Sequence, residues 1–143
     1  MKRFLALSLV ACASLTMFAQ STARKFVLKN STDGKSELTC YLPQNPSGRA
    51  VVDCPGGGYS HLAMVPEGHQ WSVYVNKEGV AYFVLKYRMP NGDRNIPLSD
   101  AYKAMRTVGD SAAVWHIDKE DVGIMGFAAG GHLASSVSTH AEY

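Results

Sequence analysis

The apolar residues of this chain fall into short runs that alternate between strand-like and helix-like spacing. Residues 80–85 have the uninterrupted apolar sequence VAYFVL, and residues 122–125 have the sequence VGIM. Unbroken apolar runs of this length are typical of strands that are covered on both faces of a parallel sheet. Both segments are therefore predicted to be buried strands.

Two further β-prone runs lie nearer the N-terminus, at residues 37–42 and 49–54. The segment between them, PQNPSG at residues 43–48, is rich in residues that favour turns. The simplest interpretation of this pattern is a pair of neighbouring strands.

Helical spacing appears in two places between these strands. Within residues 67–77, Trp71, Tyr74 and Val75 form an apolar stripe that predicts a helix packed on the sheet, with Gly79 placed to end it. After Pro97, apolar residues recur at helical spacing as far as position 115.

The start of this second helix is predicted from two polar residues. Ser99 is a suitable N-cap, and Asp100 would then lie favourably in the first turn. A third helix is predicted to begin after the glycine-rich segment at residues 126–131.

The order strand, helix, strand, helix, strand, helix indicates an α/β fold with a single domain. Right-handed crossovers in such a chain give a doubly wound, mostly parallel sheet with helices on both faces.

The first 19 residues have the pattern of a secretory signal peptide. A basic Met-Lys-Arg start precedes an apolar run at residues 4–18 and the small residue Ala19. The run is short for a membrane span, so we expect cleavage, no membrane span in the mature chain, and a secreted or periplasmic location. A lipoprotein acylated at Cys12 is the less favoured alternative, because the apolar run continues past that residue.

Charge and cysteine content narrow the classes of function further. Without residues 1–19, twelve basic residues face twelve acidic ones, so nothing favours nucleic-acid binding. Cys40 and Cys54 both lie in strand-like runs, which favours two buried thiols over a disulfide. The histidines lack metal-ligand spacing, and we expect neither a metal nor a cofactor.

Two glycine-rich loops each follow a predicted strand. The loops have the sequences PGGGY at residues 55–59 and GFAAGG at residues 126–131. Loops at the carboxyl ends of parallel strands share one edge of the sheet, where ligands bind in open α/β folds.

These loops carry a resemblance to a known family. Residues 126–130 match the G-x-S-x-G nucleophile elbow of α/β-hydrolases except at the centre, and residues 55–59 resemble the H-G-G-G oxyanion loop of esterases. Together with EGH at residues 67–69 and VLKYR at residues 84–88, they resemble the bacterial acetylxylan esterase and lipase-like branch, which deacylates plant polysaccharides.

The resemblance implies a role for each loop residue. Ala128 occupies the nucleophile position, where a methyl group cannot attack an ester, so the chain is predicted to be inactive. The backbone N–H groups of Gly57, Gly58 and Ala129 correspond to the oxyanion hole. Pro55 replaces the family's histidine, which leaves open how the loop is braced.

Neighbouring side chains are further candidates. Tyr59 and His61 follow the oxyanion loop and are candidate contacts for an acyl or sugar group, with solvated loop residues as the alternative. Lys86 and Arg88 are candidates for pairing with Glu67 or with other neighbours near the site, with a solvated strand end as an equal alternative.

In the family, the triad acid and histidine follow the nucleophile, and only 15 residues follow position 128. His132 lies in the elbow's own helix and is therefore a poor candidate for the triad base. Residues 20–143 are thus expected to be the N-terminal half of a hydrolase domain, apparently truncated.

Two other functions remain open from the sequence. The chain could bind acyl sugars without cleaving them. Less favoured is a dinucleotide-binding module, because Gly126, Ala128 and Gly131 only approximate G-x-G-x-x-G.

Overall fold

The computed structural model of the protein describes residues 23–140. The predicted signal peptide and Cys12 lie outside these residues. In chain order, the elements are β1 (Arg24–Lys29), β2 (Glu37–Leu42), β3 (Ala50–Cys54), α1 (Ser72–Lys77), β4 (Ala81–Lys86), α2 (Asn95–Asp110), β5 (Val122–Gly126) and α3 (Ala129–Thr139). A 3-10 turn, His69–Trp71, leads into α1. No helix in the described range is long and apolar enough to span a membrane.

The five strands form one mixed sheet in the order β1-β2-β4-β3-β5. β3 pairs in parallel with both β4 and β5, whereas β1, β2 and β4 are joined by antiparallel pairing. The predicted α/β class is confirmed, and the parallel part of the sheet carries both glycine-rich loops.

The expectation that the first two predicted strands are neighbours is wrong. β4 lies between β2 and β3 and pairs with both. Its residues 81–85 are almost completely buried, so this strand needs partners on both edges and cover on both faces. The position between β2 and β3 gives β4 a partner on each edge.

β1 was not predicted from the sequence. It pairs with β2 along its whole length and directs Phe26 and Leu28 towards the core. Lys25 and Val27 alternate with them and are exposed, which is typical of an edge strand with one buried face.

Helices cover both faces of the sheet, as the doubly wound pattern predicts. On one face, the 3-10 turn and α1 lie over Tyr41 and Tyr82. The hydroxyl group of Tyr41 lies 2.8 Å from Nδ1 of His69, and that of Tyr82 donates to the carbonyl of Gly68 at 3.0 Å. On the other face, α2 and α3 pack on a core that includes Phe83, stacked on Trp115.

The predicted apolar stripe of the first helix does not face the sheet. α1 is shorter than expected, and Trp71 and Tyr74 are 43% and 67% exposed. Ser72 is the buried residue of this helix, and Asn76 donates to the carbonyls of Tyr41 and Val80. These polar bonds, rather than the stripe, tie α1 to the sheet.

The second helix begins earlier than predicted, at Asn95, so Ser99 is not its N-cap. Asp100 is instead buried within the helix and accepts from the backbone N–H of Arg88 at 2.8 Å and from its guanidinium at 2.7 Å. Arg88 also pairs with Asp33 at 3.4 Å. Of the alternatives that the sequence left open for Arg88, pairing with neighbours other than Glu67 is the one observed.

The prediction of two buried thiols is confirmed. Cys40 and Cys54 are both free and buried. Cys54 is the last residue of β3 and supports the glycine-rich loop that follows it.

Candidate active site

Ala128 forms a sharp bend between β5 and α3. Its backbone angles are φ 48° and ψ −116°, a conformation that is strained for a residue with a side chain. Two hydrogen bonds hold the bend, from the N–H of Gly130 to the carbonyl of Phe127 at 2.8 Å and from that of His132 to the carbonyl of Ala128 at 3.1 Å. The strand-to-helix bend predicted from residues 126–130 is present.

The glycines on either side of the bend are required by close packing. A Cβ atom on Gly126 would lie 2.2 Å from the carbonyl oxygen of Gly130. One on Gly130 would lie 1.9 Å from the carbonyl oxygen of Cys54. Only glycine therefore lets α3 begin this close to the ends of β3 and β5.

The triglycine loop turns immediately after β3. Gly57 and Gly58 have φ angles of 150° and 64°, and the N–H groups of Ser60 and His61 return to the carbonyl of Gly57 at 3.1 and 3.3 Å. A Cβ atom on Gly57 would lie 2.0 Å from the carbonyl oxygen of His61. The loop is a tight turn that side chains would disrupt.

The two glycine-rich loops meet at Ala128. A Cβ atom placed on Gly56 would lie 3.2 Å from Cβ of Ala128 and 2.5 Å from the carbonyl oxygen of Phe127. Within residues 23–140, no protein acceptor is recorded for the N–H groups of Gly57, Gly58 or Ala129. The bend and the triglycine loop are thus adjacent, and these three backbone N–H groups are free to bind a ligand.

The loop is braced without the histidine that Pro55 replaces. Oε2 of Glu67 accepts from the N–H of Gly56 at 2.8 Å, so this amide is not available to a ligand. The hydroxyl of Tyr87 donates to the carbonyl of Pro55 at 2.5 Å. Glu67 and Tyr87 both lie in the family-like motifs of the sequence, but nothing in those motifs predicted this role.

A buried carboxylate, which was not predicted from the sequence, lies in β3 just before the loop. Asp53 is fully buried in β3 and accepts a hydrogen bond on Oδ2 from the hydroxyl of Tyr82. Its Oδ1 has no hydrogen-bond partner among the described residues. Burial raises the pKa of Asp53 to about 6, the Tyr82 bond opposes this rise, and the nearby Glu67 adds to it. A lone aspartate in an apolar strand gives no sequence signal of such an environment.

The structure places Tyr59 and His61 on different sides of the loop. The hydroxyl of Tyr59 lies 2.8 Å from Nδ1 of His132, and the two rings meet edge to face. This bond links the triglycine loop to α3 and occupies one ring nitrogen of His132. Nδ1 of His61 lies 3.2 Å from Oγ of Ser60.

Each of these two residues lines its own cavity. His61 borders an open cavity of about 600 Å³, together with Lys86, Arg88 and the loop after β4. Tyr59 and His132 border a smaller cavity of about 270 Å³ between the start of α2 and α3. Residues 23–140 contain no group of three or more His, Cys, Asp or Glu side chains that could hold a metal ion.

The mixed sheet, the strained bend and the adjoining glycine loop define the chain as part of an α/β-hydrolase fold. The BD-FAE family model matches residues 38–142, and the chain belongs to that family. This match covers both glycine-rich loops, all of β2 except its first residue, and every later element to α3.

Relatives with known activities or structures agree with this family. The chain is 54% identical over 143 residues to an acetylxylan esterase of Xylanibacter ruminicola. This alignment covers all of this chain and 30% of the relative. It also resembles the crystal structure of MGS-M1, an α/β-hydrolase enzyme from a Medee basin deep-sea metagenome library (28% identity, TM-score 0.77, 87% of this chain and 54% of that one).

A second solved structure is an acetyl ester-xyloside bifunctional hydrolase from Caldicellulosiruptor lactoaceticus. The match has 30% identity and a TM-score of 0.71, and it covers 86% of this chain and 49% of that one. The chain therefore spans about a third of the curated relative and about half of each solved structure.

Proposed function

We propose that this chain carries the nucleophile-elbow and oxyanion portion of a carboxylic ester hydrolase that acts on acetylated plant polysaccharide such as acetylxylan. The observation that supports this most directly is the geometry of Ala128. A strained residue projects from the bend between β5 and α3 beside the triglycine loop, at the Cβ position where a nucleophile would stand.

With alanine at position 128, we propose that the site binds an ester without cleaving it. A methyl group has no lone pair for attack and no proton to transfer, so no acyl intermediate can form. The N–H groups of Gly57, Gly58 and Ala129 remain as oxyanion donors because side-chain replacement does not remove them. A single such donor is typically worth a factor of roughly 10² to 10³ in kcat when a nucleophile is present.

The proposed substrate class rests on the relatives and on the position of two side chains. The curated relative is an acetylxylan esterase, and one solved relative is named for acetyl ester and xyloside hydrolysis. Tyr59 and His61 follow the triglycine segment and line the two cavities beside the loop. We assign them contacts with the sugar or acyl group. Export to the periplasm or medium, proposed from residues 1–19, would bring the protein to such a substrate.

The residue at position 128 argues against a dinucleotide-binding module. In the G-x-G-x-x-G fingerprint, the second glycine lets the backbone approach the pyrophosphate. Ala128 stands at that position, and its Cβ atom lies 3.2 Å from where a Cβ atom on Gly56 would be. The close backbone approach that the fingerprint requires is therefore hindered by a side chain.

Binding without turnover can be tested on the 143-residue chain. We expect an acetylated xylooligosaccharide to shift the NMR signals of the Gly57, Gly58 and Ala129 amides, and a deacetylated one to shift them much less. The amide of Gly56, which is bonded to Glu67, is the internal control. Equal shifts from both sugars would refute the proposed recognition of the ester.

Catalytic competence can be tested in a chimera. This chain would replace the 143-residue segment with which it aligns in the Xylanibacter ruminicola relative, either unchanged or with Ala128→Ser. We expect only the serine version to hydrolyse 4-nitrophenyl acetate. A folded serine chimera without turnover would count against the nucleophile assignment, and turnover by the alanine version would overturn it.

A further inference from the structure

The cavity between Tyr59 and His140 adjoins the elbow, and apart from the contact assigned to Tyr59 its lining has no role in the proposed function. It lies between the first turn of α2 and the outer face of α3, and its volume is about 270 Å³. His132, on its wall, donates its backbone N–H to the carbonyl of Ala128 at 3.1 Å. A group held in this cavity would therefore lie close to an ester bound at position 128.

The polar part of the cavity wall includes basic side chains and the neutral side chains of Asn95 and Ser136. Arg94 stands at the start of α2, and the imidazoles of His132 and His140 line the same cavity. No carboxylate lines it among residues 23–140, and no ion pair is recorded there for Arg94. The neighbouring Asp93 is engaged with the backbone N–H of Asn95 at 2.9 Å. The unpaired guanidinium favours an anionic ligand, and its planar donor array suits a carboxylate.

The rest of the wall is apolar and of limited extent. Leu98, Leu133 and the ring of Tyr59 contribute this surface. The volume is below the range of roughly 300 to 1,000 Å³ that is usual for drug-sized ligands, so one ring fits better than an extended chain. A sugar ring, whose C–H groups pack on aromatic and aliphatic side chains, has the right size and character.

From this combination, and on the basis of the proposed function, we infer that the Tyr59–His140 cavity is a subsite for a carboxylate-bearing sugar residue of the polysaccharide, with Arg94 binding its carboxylate. The hydrolase would then prefer acetyl groups that lie next to an acidic sugar substituent. Arg94 acts in this inference as a specificity determinant and takes no part in bond cleavage.

The test uses the 143-residue chain and three ligands: a xylooligosaccharide bearing a glucuronate substituent, its neutral counterpart and acetate. Binding is followed by NMR at the Leu133 methyl groups and the Arg94 side chain. We expect the glucuronate-bearing sugar to bind at least about tenfold more tightly than the neutral one, as expected for one charge-assisted contact. Arg94→Ala should abolish this difference, and Arg94→Lys should retain part of it.

Arg106→Ala is the matched control, because Arg106 is an exposed arginine of the same helix that does not line the cavity. It should leave the preference unchanged. Equal affinity for the charged and neutral sugars would overturn the inference, and so would acetate binding as tightly as the glucuronate-bearing sugar. Either result would leave the ester-dependent shifts at Gly57 and Gly58 unaffected, so the failure of this inference and that of the proposed function are distinguishable.

Discussion

Gly130→Ala should destabilise the protein although it places a good helix former in a helix. The new Cβ atom would lie 1.9 Å from the carbonyl oxygen of Cys54, whereas ordinary contacts begin near 3.4 Å. Relief requires α3 to move away from β3 by about 1.5 Å, because the opposing atoms belong to backbone and cannot rotate aside.

The magnitude follows from two opposing effects. Overpacking of this kind costs up to about 3 kcal/mol, and alanine regains up to about 1 kcal/mol of helix propensity over glycine. We therefore expect the free energy of unfolding to fall by about 2 kcal/mol. With a urea m-value of about 2 kcal/mol/M, the unfolding midpoint should fall by about 1 M.

Urea unfolding followed by circular dichroism measures this shift. Gly109→Ala is the matched control, since Gly109 lies in α2 and a Cβ atom there meets nothing within 4 Å. That variant should gain roughly 0.5 to 1 kcal/mol. A Gly130→Ala midpoint at or above that of the unchanged protein would refute the close approach of α3 to β3, and with it the geometry of the elbow.

Three other outcomes are expected from the structure. Arg88→Ala should lower the free energy of unfolding by about 3 kcal/mol in urea titrations, because it removes the ion-pair partner of the buried Asp100 carboxylate. The control Arg49→Ala removes an exposed ion pair and should change the free energy of unfolding by less than about 1 kcal/mol. Equal effects of the two substitutions would contradict this prediction. Because the pKa of Asp53 is raised from 3.8 to about 6, the folded state binds more protons than the unfolded state between these values. The free energy of unfolding should therefore fall as pH rises from about 4 to about 6. The Asp53→Asn variant, unfolded in urea at several pH values in this range, should not show that fall. If the variant and the unchanged protein have the same pH dependence, Asp53 is not the cause of the fall. Burial raises the pKa of Cys40 to about 12 and that of Cys54 further, so mass spectrometry after treatment with a thiol reagent should find both unmodified until the protein is unfolded.

Much of the candidate site could be predicted because its residues are close together in sequence. The glycine-rich segment at residues 126–130 and the triglycine loop are local motifs that can be recognised from neighbouring residues alone. The parts that were missed depend on distant contacts. Glu67 supports Gly56 across 11 positions, and Tyr59 reaches His132 across 73. A sequence pattern gives no measure of such distances.

The errors in the fold have the same origin. The turn-rich segment between β2 and β3 favours a hairpin locally, but the need to bury β4 on both faces and both edges outweighs it. Asp100 suits a first helical turn by propensity, yet a buried partner in Arg88 determines its place. Local preferences are worth only a few tenths of a kcal/mol to about 1 kcal/mol each, so a single tertiary contact can override them.

The sequence by itself determined the α/β class, the alternation of buried strands and helices, and the identity of the residue at position 128 as alanine. These properties depend on periodicity and on the chemistry of single residues, both of which are visible along the chain. Only the tertiary structure decided the strand order and the hydrogen bonds by which Glu67 and Tyr87 hold the triglycine loop. It also decided the burial of Asp53 and the formation of the cavity that Arg94 lines. Each of these features depends on contacts between residues that are far apart in sequence. The strength of such contacts is set by burial and distance, which the residue types alone do not reveal.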